Sequence, residues 1–541
     1  MRPTAMSTHP VRSWGEPIQA APTGARGEPP QRPLDRIVAR RARWIGGLVI
    51  AWALSRVGYF AAGVRFDGRM LDGADQIVDR ELLRTDYWRT LWYLHSQPPL
   101  FNAFVGAVEH LPKAARPAAY WLSSCSATVA TGIGAAYLAR SARISPKAAW
   151  VIAVLLVVRP DAVLYEQWFF YTNFEAALLV VALAGMRGWA SSSDKVARLR
   201  WAIPASGGLT ALVLMRSLFH VLFVVFVMGV VTLAGKLTIR QCIQIALLPV
   251  VLGTLLYVKN YVYFDSFGPS TWQGENLARI TLGRLSSAER DQLITEGVVS
   301  VNAAIIPFTP NYAPPPGTKP QDLGPETDAE ILNSRIKSSI GTPNFNWRGY
   351  LPLFRAHLRD SVAFIRQEPS RWFTEMGLSW KRFFNSPGDN IRLEPNSGRI
   401  DSFRRAVDMG SGQIHAGGSE LTLAAYDDAV SSIEWGWVIA WILAVFGPVG
   451  LTSYRWWRGR WGRGIAVSHA GASGVDEMAH FAIWAAIVYV SIVGNSFEQG
   501  ENNRFRFVID SLILIGAVAT ATNLSAVVRV RRTRAGLSDA Q

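Results

Sequence analysis

Cysteine is nearly missing from this chain: Cys125 and Cys242 are the only two in 541 residues, and both lie inside apolar runs. That excludes a disulfide framework and a cysteine-based zinc site. Lysine is scarce as well, with 8 residues against 47 arginines. Charged residues make up 18% of the chain against 50% hydrophobic, and the mean hydropathy is +0.15. Charge is almost absent from blocks of about 15–25 residues, the length that crosses a ~30 Å hydrocarbon core as a helix. Such blocks exclude a cytosolic enzyme, a disordered protein and a secreted disulfide scaffold. A net charge of +15 suits nucleic acid, but here the basic residues lie between the apolar blocks and form no basic face or recognition module. Nucleic acid is therefore not an expected partner. No internal repeat is visible either, which argues against a transporter built from inverted repeats.

What is present is a mainly α, polytopic membrane helix bundle. The blocks predict ten membrane helices, at about 44–64, 117–139, 148–160, 172–189, 202–216, 219–234, 241–258, 434–453, 475–494 and 507–528. The third and fifth are short; they either extend into their flanks or run as broken helices lining a cavity. Residues 1–43, proline-rich with a basic end, read as a disordered cytoplasmic tail, and 529–541 as a second cytoplasmic tail. The proposed inner flanks hold 21 Arg and Lys residues, the three short outer connections only 4. That bias predicts an N-in, C-in topology with an even number of crossings. The N-terminal membrane module (44–258) then includes a first outer loop, 65–116, and helices 434–528 form a C-terminal module. Between them, 259–433 reads as an α-rich extracytoplasmic insertion with helices starting at Pro352 and Pro369. The expected location is a bacterial inner (plasma) membrane, with membrane lipids as neighbours and the site on the extracytoplasmic face.

Polar residues collect at the outer ends of these helices, and charge at membrane depth faces a cavity or a partner. Asp67, in Arg65-Phe66-Asp67-Gly68-Arg69, is placed to take a proton from a hydroxyl, or else pairs with Arg65 or Arg69. In the run Trp88 to Asn102, His95 precedes Pro98-Pro99; it binds phosphate or a metal, or bonds a backbone carbonyl. The stretch 98–112 is too short to span and is expected to lie in the interface or re-enter. Glu166, flanked by Tyr165 and Trp168, is a second acid, a ligand for a divalent cation, or an exposed loop carboxylate. Arg216 and His220 share a short turn that suits phosphate or metal, or anchors the interface by snorkelling. Glu501, Arg504 and Arg506 precede the last helix with Asp510 just inside it, and Lys259 adds to the rim. Guanidinium groups match phosphate oxygens through a planar fork.

In order and shared sidedness, Asp67, His95-x-x-Pro98-Pro99-Leu100, Tyr165-Glu166 and Arg504/Arg506 resemble the GT-C superfamily of polytopic glycosyltransferases, the group with the protein O-mannosyltransferases and the lipid A aminoarabinose transferase. The resemblance covers about 44–260 and 434–528 and leaves 259–433 unassigned. It implies a polyprenyl-phosphate-linked sugar as donor, an inverting transfer, and a glycan, lipid or protein acceptor, with cell-wall glycan favoured. It implies Asp67 as base, Arg216, Arg504 and Arg506 on the donor phosphate with His95 as helper, and Glu166 orienting the acceptor or holding a divalent metal ion. Gly68 departs from the Asp-Glu pair of the protein mannosyltransferases, which counts against a protein acceptor. Two other classes remain: a lipid or sugar transporter or flippase, and a non-catalytic membrane assembly subunit.

Overall fold

A computed structural model describes residues 33–310, 312–314, 318–412, 433–461 and 474–538. The membrane-type helices are α1 (Pro33–Ala61), α2 (Leu100–Glu109), α3 (Arg116–Ser141), α4 (Pro146–Val158), α5 (Pro160–Gln167), α6 (Tyr171–Ser191), α7 (Lys195–Ala202), α8 (Gly208–Met215), α9 (Val221–Leu233) and α10 (Ile239–Phe264). A loop-rich part carries α11 (Gln273–Ile280), α12 (Leu351–Gln367), α13 (Pro369–Phe383) and α14 (Asp401–Gly410). The chain ends in α15 (Trp435–Trp461), α16 (Gly474–Ser496) and α17 (Asn502–Ser538). No strand occurs among the described residues, only isolated bridges such as Asp67 with Trp168.

The helix boundaries follow local chemistry. Proline occupies a first-turn position, where its missing N–H costs nothing, in α3, α4, α5, α12 and α13. The Ser145 hydroxyl accepts from Ala148 N–H at 3.2 Å, and Thr238 with Gln241 forms a capping box at the start of α10.

Among the described residues, six helices are long and apolar enough to cross a membrane: parts of α1, α3, α6, α10, α16 and α17. The chain is thus a multi-pass membrane protein by length and composition. Helices α4 and α5 pass the same test only together, bent by 49° at Arg159, the geometry of a broken span or a re-entrant loop. The helix expected at 202–216 is also interrupted: α7 and α8 are joined by a π-helical turn, Ile203–Gly207. That turn packs on α6, where a Cβ at Gly185 would collide with the Ala205 backbone nitrogen. The 13 residues of α9 and the apolar part of α15, Trp435–Leu451, are shorter than a full crossing. The expected tails differ as well. Helix α1 begins at Pro33, before the predicted boundary at 44, and α17 runs on past 529 to Ser538. Residues 1–32 and 539–541 lie outside the described residues, as do 413–432 of the predicted insertion.

The bundle has a centre and a rim. In α6 and α17, 67% of the apolar window is buried, against 17% in α1. The main core joins α3, α4, α6, α8, α9, α10, α15, α16 and α17 through residues such as Leu183, Val227, Ile487 and Leu512. A second, aromatic core sits at the N-terminal end of α6, where Phe101, Trp168, Phe169, Phe170 and Tyr171 pack with Tyr165 and Phe507. Trp272, Phe345, Tyr350 and Phe354 form a separate core within the loop-rich part.

Candidate functional site

Past α1 the chain turns at Gly63, whose φ of +95° is open to glycine without strain, and then runs beside the segment that joins α5 to α6. Asp67 N–H donates to the Gln167 carbonyl at 2.7 Å, and Phe169 N–H donates to the Asp67 carbonyl at 2.9 Å. These bonds hold Asp67 at one position next to Trp168. Its carboxylate accepts from Arg69: the backbone N–H at 3.0 Å, Nε at 2.9 Å and Nη2 at 2.7 Å. The Asp67 side chain is only 9% exposed, whereas Arg69 is 62% exposed and also donates to the Glu394 carbonyl.

The Arg504 guanidinium lies over the other end of the same segment, 5.6 Å from the Trp168 ring, 5.0 Å from Phe170 and 5.5 Å from Tyr171. It pairs with Glu501 and donates to the Tyr171 hydroxyl at 3.3 Å, while its Nε makes no hydrogen bond among the described residues. Arg216 also stands over Tyr171, at 5.0 Å, and over Phe505, at 4.6 Å, with Nη1 held by Glu175 at 2.8 Å. Trp168 thus links Asp67 to Arg504, and Tyr171 links Arg504 to Arg216.

Around Glu501 the charge is positive. Arg392 Nε donates to it at 2.6 Å, and Arg279 packs against Gly500. Burial raises the Glu501 pKa, but Arg504, Arg392 and Arg279 together outweigh it and hold the group at about 2, an anion throughout. Asp75 shares this field with Lys337 and Arg392. It is half-buried, makes no hydrogen bond or ion pair among the described residues, and burial pushes its pKa up. Arg279, Arg392 and Asp75 were missed from sequence; they come from parts of the chain with no hydropathy signal.

The remaining expected site residues are placed elsewhere or spent. Glu166 does not face the Asp67 carboxylate's surroundings: fully buried, it accepts from Arg56 at 2.7 and 2.5 Å, from Trp52 at 3.0 Å and from Gln167 at 3.0 Å. With both oxygens engaged by donors, it does not fit the divalent cation expected there. Among the described residues no group of three or more His, Cys, Asp or Glu has metal-holding geometry. Arg506, two residues from Arg504, points to another side of α17, as helical spacing dictates. It pairs with Glu434, stands 3.3 Å from Asp510 and lies over Trp437. Asp510 also holds Arg159, at the α4–α5 break, at 2.7 Å.

His95 is fully buried. Asn346 O can only accept, so Nε2 donates to it at 2.9 Å, and Nδ1 accepts from the Thr271 hydroxyl at 2.8 Å. Burial pushes its pKa down to about 3, so the ring is neutral. It ties the first loop to the loop-rich part and has no atom left for phosphate. Lys259 donates to the carbonyls of Leu94, at 2.6 Å, and Trp92, at 3.2 Å, capping the short helix Tyr87–Tyr93. His220 sits at the N-cap position of α9 without a side-chain capping bond, its ring edge-on to Tyr257 with centroids 6.4 Å apart. Comparisons with protein-family models, with curated proteins and with solved structures find no match, so the chemistry of this site rests on its own geometry.

Proposed function

We propose that the chain is an integral-membrane glycosyltransferase of the GT-C kind, which moves a sugar from a polyprenyl-phosphate donor to a hydroxyl of a glycan, lipid or protein acceptor. The observation that carries the reading is the link through Trp168, whose backbone bridges to the Asp67 backbone and whose ring lies 5.6 Å from the Arg504 guanidinium. It joins a base and a phosphate-seeking cation that are more than 400 residues apart in the chain. The four shorter or broken elements, α4–α5, α7–α8, α9 and α15, bring the crossings to ten, with both termini in the cytoplasm of a bacterial inner membrane and the site on the opposite face.

In the reaction, Asp67 takes the proton of the acceptor hydroxyl as its oxygen attacks the anomeric carbon. The bond from that carbon to the phosphate oxygen breaks, and its electron pair leaves with the polyprenyl phosphate. The new glycosidic bond is inverted, and Asp67 returns its proton to water. Arg504, with Arg392 and Arg279 nearby, opposes the charge gathering on the departing phosphate. Arg69, exposed, orients Asp67 and yields to the acceptor. A transporter path needs ionisable groups free to change partner at membrane depth. Arg56–Glu166, Arg159–Asp510 and Arg216–Glu175 are instead paired, which favours the enzyme.

The test is incubation of purified protein with radiolabelled polyprenyl-phosphate sugars. One donor is expected to be turned over, and Asp67→Asn to lower the rate by about 10²–10⁴-fold, the range of general-base catalysis, with membrane expression unchanged. Turnover by Asp67→Asn at the parental rate overturns the assignment of the base, and no turnover of any donor overturns the enzyme.

A further inference from the structure

Helix α14 has the polarity of a water-facing amphipathic helix reversed. At about 100° per residue, Phe403, Ala406, Val407, Met409 and Gly410 fall on one arc, with Ser402 as its one polar member. Asp401, Arg404, Arg405 and Asp408 fall on the other. The charged arc is turned to the protein. Arg404 and Asp408 are buried, and Arg404 pairs with Asp389, with Asp401 at 3.0 Å and with Asp408 at 3.4 Å. Arg405, at the edge of this arc, pairs with Asp401. The apolar arc is turned out, with Phe403 53%, Val407 39% and Met409 61% exposed. A helix that faces water carries its apolar stripe on the core side and its charge outside.

The level of α14 follows from its contact with α1. The Phe403 ring stands edge-on to Tyr59, with centroids 6.1 Å apart. Tyr59 lies inside the apolar window Ala42–Ala61, two residues or about 3 Å along the helix from its end. Beside it Leu54 and Val57 are exposed, the outward surface of a spanning helix. The stem of Arg399 packs on Gly63, two residues past the window, so the chain enters α14 at the polar edge of that surface. A corresponding level is marked at the end of α10. There Tyr261 and Val262 are exposed, and Trp92, on the short helix Tyr87–Tyr93 with exposed Trp88, stands edge-on to Tyr263 at 6.0 Å. Aromatic rings at the end of a spanning helix belong to the membrane–water interface. The chain beyond α14 has no need to cross its apolar arc. Gly436 N–H donates to the Ser411 carbonyl at 2.8 Å, so the chain leaves the described residues after Gly412 and re-enters at Ile433 close to the same point.

We propose that α14 is an in-plane membrane helix, its apolar arc resting in the phospholipid acyl chains beside the C-terminal end of α1. Interfacial helices of this kind enter the leaflet by about 5–10 Å. The occupant is hydrocarbon because the arc continues the outward surface of α1 and because Phe403 stands at the depth of Tyr59, within the apolar window. The helix seats the loop-rich part on the bilayer and thereby places a segment that reaches the candidate site. Arg404 holds Asp389, the Pro387 carbonyl accepts from the Tyr165 hydroxyl at 3.3 Å, and farther along Asn396 Oδ1 accepts from Arg65 N–H at 2.9 Å. The inference stands whether or not the chain transfers a sugar.

The experiment uses the full chain in phosphatidylcholine nanodiscs that hold one copy each. Cys125 and Cys242 are buried, so a nitroxide on a single added cysteine reports one position. Phe403→Cys and Val407→Cys replace exposed side chains and leave the inward charges in place. Val57→Cys on α1 serves as the lipid reference and Glu296→Cys as the water reference. At 403 and 407, dissolved oxygen should relax the label more strongly than at 296, as it should at 57. The relaxation by a water-soluble nickel chelate seen at 296 should be lost at both positions. Chelate relaxation at 403 and 407 equal to that at 296 would put the arc in water and overturn the proposal. Loss of relaxation by both reagents, with an immobile spectrum, would mean that residues 413–432 or another chain cover the arc, and overturns it as well. Neither reading of the labels depends on sugar transfer, so a protein without transferase activity leaves this test intact.

Discussion

His95 is locked between partners 176 and 251 residues away, Thr271 and Asn346, and both of its ring nitrogens are committed. The sequence marks it, beside Pro98-Pro99, as a residue of interest, yet what decides its role is the pair of partners, which no local pattern discloses. The same is true of Glu166, whose saturation by Arg56 and Trp52 turns an expected site acid into a structural one. The place of Asp67 was legible because the end of the first apolar block is itself the signal, and its role as base is a proposal. The state of His95 carries a pH dependence. Burial lowers its folded pKa from 6.5 to about 3, so between these values the unfolded chain binds the extra proton. The contribution to stability is whole above about pH 6.5 and declines as pH falls toward 3. The detergent-solubilised protein should melt at a lower temperature at pH 4.5 than at pH 7.5. His95→Gln should lower the pH 7.5 value and reduce the difference between the two. An equal difference in the variant would assign the acid sensitivity to other groups.

At the scale of the helix, hydropathy finds where apolar runs are and says little about how they break. The run at 148–160 reads as one element because Pro160 looks like its end. In the structure Pro160 opens α5, whose residues are all buried and whose Glu166 pairs with Arg56. The interruption in 202–216 has a physical cause at a distance: Gly185 lets the Ile203–Gly207 turn approach α6 more closely than any side chain would allow. Arg56 illustrates the converse. An arginine within an apolar run needs an acid at its own depth, and Glu166 on α5 is that acid, so one ion pair docks the rim helix α1 onto the bent α4–α5 pair. Arg56→Met leaves Glu166 buried without its counter-ion and should cost about 3–5 kcal/mol, whereas removing both charges in Arg56→Met with Glu166→Met should recover most of it. Thermal unfolding in detergent measures both. A double variant as unstable as the single one would mean that α1 is held by the geometry of the pair and not by relief of the stranded charge.

Over the whole molecule, the charge bias and the aromatic core mark opposite ends of the same helices. Tyr171, beneath Arg504 and Arg216, starts α6, and Arg187 lies in its last turns. The 21 residues of α6 span about 30 Å, the thickness of a bilayer core. At the Arg187 end the basic flanks gather. Arg187 binds Asp476 at 3.1 Å, Lys236 binds Glu477, and a cavity of about 360 Å³ is lined there by Arg143, Lys236 and His480. One end therefore carries basic flanks that suit the cytoplasmic side, and the other carries the Asp67–Arg504 site with the loop-rich part tied to it through His95 and Lys259. This arrangement predicts sidedness. Cys125 and Cys242 are buried, so single added cysteines report cleanly. Ser193→Cys, exposed just past α6 at the basic end, should react with an impermeant maleimide only after cells are opened. Glu296→Cys, exposed in the loop-rich part, should react in intact cells. Reaction of both from the same side would place the site and the basic flanks in one compartment, and a lipid-linked donor waiting on the outer leaflet would then have no access to Asp67.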